Sequence, residues 1–330
     1  MRLLFRAATP FLVILCVLAC CETDPVMYID TAPIPVIYGI FDSKDTVHYL
    51  KVGRIFGAGG DPAKSASIYD SIYFDNQEVS VRITKWWDTV SINLDVERVD
   101  DIPKDDGIFS SPAQALYRFN YDFQYPHRFF GKVWVEVNVP DLKPARADIA
   151  MVWINRDSFS TPKFAQQYVY LNETSPLRVH WFGNSWNEVD VKFEFVEDLG
   201  QYGTRVKAVK IQNTNSFISP HKKYREMKIT YDEFIREVLQ QIPKNDSVNK
   251  THLSYISVAI NGGDYHMAQY QRYYDGFNDY DFHGYTNIEN GLGIVASRTS
   301  ILIDSMQFDR DTRRLLLNEN RLKVLKLTEK

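Results

Sequence analysis

The groups in this chain best placed for chemistry are thiols. All three cysteines, Cys16, Cys20 and Cys21, lie within one short stretch, FLVILCVLACCETD at residues 11–24, and none follows. Cys20 stands directly behind the small residue Ala19, which follows the aliphatic pair Val17-Leu18. Small neighbours admit a peptidase, and the sulfur, as thiolate, is a nucleophile that can be alkylated. The residues upstream fit such processing. Arg2 and Arg6 form a positive start and Phe11 to Ala19 an apolar run, the pattern of a secretory leader. That run is shorter than the roughly 20 residues that span a bilayer. Cys16 is thus expected to leave with the leader, Cys20 to become the modified N-terminus, and Cys21 to remain as a lone thiol. With no cysteine further on, neither a disulfide framework nor a cysteine metal cluster is expected.

Val17-Leu18-Ala19-Cys20 resembles the bacterial lipobox, whose cysteine receives a diacylglycerol and often an acyl group on its amine. The motif implies a lipid anchor at Cys20; the location expected for the protein is the outer membrane. Each buried acyl CH₂ contributes about 0.8 kcal/mol, so one chain holds marginally and two or three hold stably. Read one residue later the anchor would be Cys21, but Cys20 is a poorer small residue before a cut than Ala19. A soluble secreted protein with a chance cysteine is the alternative. Residues 1–19 are therefore predicted as signal peptide. Residues 20–32 are predicted as a tether, since Glu22 to Thr31 is acidic and aperiodic.

No catalytic residue, metal or cofactor is expected. The histidines at 48, 127, 180, 221, 252, 266 and 283 are scattered and form no HExxH. GxSxG, Walker and GxGxxG patterns are absent, and Gly57-Ala58-Gly59-Gly60 lacks a phosphate-loop lysine. Asp279, Asp281, His283 and Gly284 imitate the start of a calcium loop. That loop fails at His283 and at Asn290, where position 12 needs a bidentate acid. Net charge is -4, which speaks against a nucleic-acid partner. Removing Arg2 and Arg6 makes it -6.

The 20 Tyr, 20 Phe and 6 Trp are a heavy aromatic load. Tyr265, Tyr270, Tyr273, Tyr274, Phe277, Tyr280, Phe282 and Tyr285 crowd together among Asp and Asn. All but Phe282 are taken as candidate binding residues for a sugar, a peptide or a protein partner. Ordinary packing is the competing account.

The elements that must position these residues read as strands. Pro33–Phe41 and Thr46–Phe56 around the polar Asp42–Asp45 predict a hairpin. In its second run neither face is cleanly apolar, so a partly exposed strand is expected. Glu78–Trp86, Val90–Val99 and Lys132–Val139 alternate as half-buried antiparallel strands do. Ala145–Ile154, Leu177–Phe182, Glu188–Phe195, Thr204–Ile211 and Leu253–Ile260 follow, with short strands at Gly291–Val295 and Ser300–Ile303. Helical turns are predicted within Pro62–Ser71. Thr230-Tyr231-Asp232-Glu233 forms a capping box before Phe234, Ile235, Val238, Leu239 and Ile242 at helical spacing. Tyr265–Tyr274 suggests a helix or turn, and Arg310–Lys326 a terminal helix. A polar stretch at Asn155–Lys163 marks a boundary. The fold class expected is mainly β: two β-sandwich-like domains, 33–155 and 156–330, with a few short helices.

The stretch YTNIENGLGIVASR, Tyr285 to Arg298, resembles the C-terminal signature of the Bacteroidetes lipoproteins filed as domain of unknown function 4249. The early PVIYGIFDSKDTVHYLKVGRIF, the strand QEVSVRIT and the strand pair of Gly131 to Val152 are also similar to that family, with Trp134 where it has tyrosine. The resemblance implies an N-terminal immunoglobulin-like or carboxypeptidase-regulatory-like sandwich and a second β-rich domain. It also implies association with TonB-dependent outer-membrane receptors, and supplies no catalytic residue. The expectation is a non-enzymatic binding, accessory or scaffold lipoprotein. The alternatives are a structural or adhesion role, and a surface glycan or peptide hydrolase.

Overall fold

The computed structural model describes residues 33–55, 68–75, 80–87, 90–100, 102, 114–123, 131–154, 159–163, 166–182, 185–215, 224–275 and 285–329. The fold is mainly β, with sheets layered as sandwiches. Cys20 and its surroundings, Phe277, Tyr280 and the loop with Asp279, Asp281 and His283 lie outside the described residues.

A nine-stranded sheet forms the spine. It starts from the predicted hairpin, β1 (Pro35–Asp42) and β2 (Val47–Arg54). β5 (Val96–Val99) and β6 (Leu116–Asn120) extend it beyond β2. On the other side β1 pairs with β16 (Leu292–Phe308), then come β15 (Lys250–Gly263), β12 (Trp186–Asp198) and β13 (Thr204–Asn215). The short β10 (Tyr168–Val169) also pairs with β16. The β1–β16 pair is parallel, in register from Val36↔Leu292 to Asp42↔Arg298. A second sheet has the order β4 (Val90–Leu94), β3 (Ser80–Trp87), β7 (Lys132–Asn138), β8 (Ala145–Ala150). A third joins β14 (Tyr224–Ile229), β11 (Leu177–Phe182) and β9 (Phe159–Thr161).

Two large cores lie between these layers. In one, Val133, Val135, Val137, Ala147 and Ile149 of the four-stranded sheet meet Ile37, Phe41, Leu50, Val52 and Phe119 of the spine. Ile288 and Val295 join that core from the far end of the chain. In the other, Val189, Val191, Phe193 and Phe195 of β12 face Val179 and Trp181 of β11 and the helix α2 (Tyr231–Gln241). Asp190, Lys192 and Glu194 alternate with them on the opposite face, as period-2 geometry requires. The capping box forms: Thr230 accepts from Glu233 N while the Glu233 carboxylate accepts from Thr230 N. Phe234, Ile235, Val238 and Ile242 are all core.

One expectation holds and two need correction. β2 is partly exposed as expected, with Val47 and Tyr49 facing outward. Its inward face buries His48, whose ring stacks 5.0 Å from Phe119 and whose Nε2 lies 3.0 Å from the Tyr121 carbonyl. Burial lowers its pKa, so the ring is neutral at pH 7. Val90–Val99 is two strands, since the chain bends at Asp95 and passes from the four-stranded sheet to the spine. Such corners are how strands switch layers. The two short strands near the C-terminus are one, β16, running unbroken through Ser297-Arg298-Thr299. Of the predicted Pro62–Ser71 turns, the described part is the end that enters α1 (Tyr69–Ile72). The terminal helix is α4 (Arg310–Asn318), continued by a 3-10 segment to Leu325.

Candidate functional site

Of the aromatic residues singled out between 265 and 285, the side chains of Tyr265, Tyr270, Tyr273 and Tyr285 are among those described. Helix α3 (Tyr265–Asp275) carries the first of them. Tyr265 is 58% exposed. Tyr270 and Tyr285 pack against a small third core of Trp186, Met267, Ala268, Ile294 and Ala296, and Tyr273 is half-buried. The Tyr274 side chain, like Phe277 and Tyr280, is outside the described set.

The start of α3 is built around acid and imidazole groups. Asp264 is 3% exposed and caps the helix, its Oδ1 accepting from Met267 N at 2.9 Å. Its Oδ2 is buried and has no hydrogen-bond partner among the described residues. Burial pushes this carboxyl up to about 7, against the opposing pull of backbone N–H groups, Met267 first. His266 Nδ1 lies 2.8 Å from the Tyr285 hydroxyl. Burial lowers the His266 pKa, partly offset by Asp148, whose backbone it hydrogen-bonds. Burial pushes the Tyr285 hydroxyl up to about 12.

Asp148 leads from this helix to a feature that sequence reasoning missed. The outer face of the four-stranded sheet is a groove of about 630 Å3. Its floor is Trp134 on β7, 49% exposed. Register sets the neighbours. Thr84 lies opposite Trp134 on one side and Asp148 on the other, and Asn93 lies opposite Thr84. The next row is Arg82, Glu136 and Arg146. The 285–290 segment closes the far side, through paired backbone bonds between Glu289 and Arg146 of 3.0 and 2.8 Å. Asn287 is held there by both backbone groups of Val295, at 2.7 and 3.0 Å.

The three cations of the groove are paired with Glu136 and Asp148. Glu136 accepts from Arg146 at 2.8 Å and faces Arg82 at 3.4 Å. Lys132 meets Asp148 at 2.9 Å, and Thr84 Oγ1 donates to Asn93 at 2.9 Å. Hydrogen bonds from Arg146, then Asn138, hold the Glu136 carboxyl below its ordinary range. Glu136 and Asp148 are diagonal cross-strand neighbours, about 7–8 Å apart along the diagonal. That spacing suits a glycosidase pair, but the acid of such a pair needs a raised pKa. Glu136 is shifted the other way, and Asp148 is tied to Lys132. Among the described residues no group of three or more His, Cys, Asp or Glu side chains could hold a metal.

No protein-family model matches the chain, and no curated protein matches its sequence.

Proposed function

We propose that the protein is an outer-membrane lipoprotein, anchored through Cys20, that serves as a binding or accessory subunit and not as an enzyme. The observation that carries the binding part is the groove floored by Trp134. A large, half-exposed aromatic among mutually oriented polar groups is the makeup of a recognition site. The leader and Cys20 support the anchoring part. The partner expected is a TonB-dependent receptor, on the strength of the resemblance at Tyr285 to Arg298.

The test is isolation of the acylated protein from membranes in mild detergent, beside a Cys20→Ser variant. A stoichiometric β-barrel receptor in the eluate supports the accessory role, and recovery alone supports a self-sufficient binder. Loss of the variant from the membrane fraction supports the anchor. Equal partition of both forms would refute it.

A further inference from the structure

The groove has a chemistry that narrows its ligand, given the reading that it is a binding site. We infer that it takes a neutral oligosaccharide, one sugar ring lying on the indole of Trp134. Four features of the groove lead there.

The floor is flat and aromatic. The face of an indole carries negative potential. A pyranose turns a patch of polarised C–H groups to one side and its hydroxyls outward. Stacking the C–H patch on Trp134 therefore leaves the hydroxyls at the level of the surrounding side chains. Those side chains set donors and acceptors around the ring: Thr84 and Asn93 on one flank, Asp148 and Arg146 of β8 on the other, Lys132 and Glu136 to either side along β7. A sugar hydroxyl both donates and accepts, so it can use either kind.

Charge excludes the obvious competitors. Three cations (Arg82, Lys132 and Arg146) line the groove with three carboxylates (Glu136, Asp148 and Glu289). Each of the cations is already within 3.4 Å of a carboxylate. The three cations and three carboxylates sum to zero, so neither a polyanion nor a polycation meets a surplus of opposite charge. Nucleic-acid bases also stack on indoles, but their phosphates need surplus positive charge that is absent here.

Backbone geometry disfavours an extended peptide on the floor of the groove. Peptides that add to sheets do so at an open edge, through main-chain hydrogen bonds. Trp134 is on β7 and Thr84 on β3, both interior strands paired on either side. The floor offers side chains and no ladder; the edge strand β4 lies at the flank, with Ser91 and Asn93.

Size and rigidity agree. About 630 Å3 lies within the roughly 300–1,000 Å3 of small-molecule sites, enough for more than one sugar. The ion pairs and the Thr84–Asn93 bond fix the polar groups before any ligand arrives, which lowers the ordering cost of binding. Tyr265 and the His266–Tyr285 pair stand beside the Asp148 end, where a longer chain would continue.

The experiment uses the full acylated protein in mild detergent, titrated calorimetrically with neutral hexasaccharides: gluco-configured α- and β-linked, xylo- and manno-. Oligogalacturonate and a mixed-sequence decapeptide are the controls. At least one neutral chain is expected to bind the wild type. Trp134→Thr keeps a strand-favouring residue and removes the ring; it should weaken that binding about tenfold or more. Trp134→Phe, which keeps a smaller ring, should fall between. Unchanged circular dichroism would show that both variants fold. Three results would overturn the inference: no neutral chain binds the wild type, the neutral chain binds Trp134→Thr as well as wild type, or the tightest ligand is the acidic chain or the peptide. Each leaves membrane co-isolation untouched, so the ligand class can fall while the accessory role stands.

Discussion

At the residue scale, two positions carry unusual constraints. Asp264 holds its proton far above the ordinary carboxylate range, up to about 7, because its carboxyl is buried. The unfolded chain releases that proton near 3.8. Between these values the native state binds a proton that the unfolded state lacks. Stability from this group is therefore full below about pH 4, falls as pH rises, and is lost above about pH 7. At about 1.4 kcal/mol per pKa unit the fall is on the order of a few kcal/mol. Asp264→Asn keeps an oxygen for the Met267 N–H and removes the titration. Urea unfolding of both proteins from pH 4 to 8 should show the wild type losing ground to the variant as pH rises; parallel curves would refute it. Gly293 is constrained differently. Its φ is +107°, and a Cβ there would collide with the backbone of Ile37 on the neighbouring β1. Gly203, at φ +84°, has open space around its missing Cβ. Gly203→Ala should cost only backbone strain, on the order of 1–3 kcal/mol, and Gly293→Ala more than that, since the collision adds to the strain. Thermal melts of the two variants should separate clearly, with Gly293→Ala the lower.

At the scale of elements, the cap of α2 was plain in the sequence because its parts are local. Thr230→Ala should lower stability by about 1 kcal/mol, while Thr230→Ser should restore most of it, by denaturant midpoints. The strands that alternate cleanly, such as β7, β11 and β12, were equally plain, since one buried face imposes period 2. Misreadings arose where a distant partner overrides the local pattern. Asp95 is a solvent-tolerant residue inside an alternating run, and only the two sheets it connects reveal a corner. Ser297-Arg298-Thr299 looks like a break, yet Ser297 is wholly buried. Its Oγ donates to the Ala150 carbonyl at 2.6 Å and accepts from Val152 N at 3.1 Å. His48 was missed as core for a like reason, since its environment is made by Phe119 and Tyr121 from another strand. The groove was the least legible feature. Its residues come from five separate stretches, each reading as the polar side of an ordinary strand or turn. Trp134 stood out in the sequence only as an exchanged aromatic.

At the scale of the whole molecule, one sheet serves both cores, and Ser297 stitches the end of β8 to the strand they share. Ser297→Ala would take that partner from the buried Val152 N–H and from the part-buried Ala150 carbonyl. The expected cost is about 1–3 kcal/mol, in a single cooperative transition if the two cores unfold together. Calorimetry should show one lowered peak; two peaks, only one of them shifted, would mean that the cores melt apart. The parallel pairing of β1 with β16 also sets a clock. Asp42 and Arg298, bonded across that seam, lie 256 positions apart. At roughly 5–20 residues per second, β1 waits roughly 10–50 s after synthesis for its second neighbour. During that interval one side of it is an open edge, able to capture another chain. Yield of native protein should thus depend on whatever shields the early strands while the tail is still being made. A chain stopped before Leu292 should aggregate, however complete its first 150 residues.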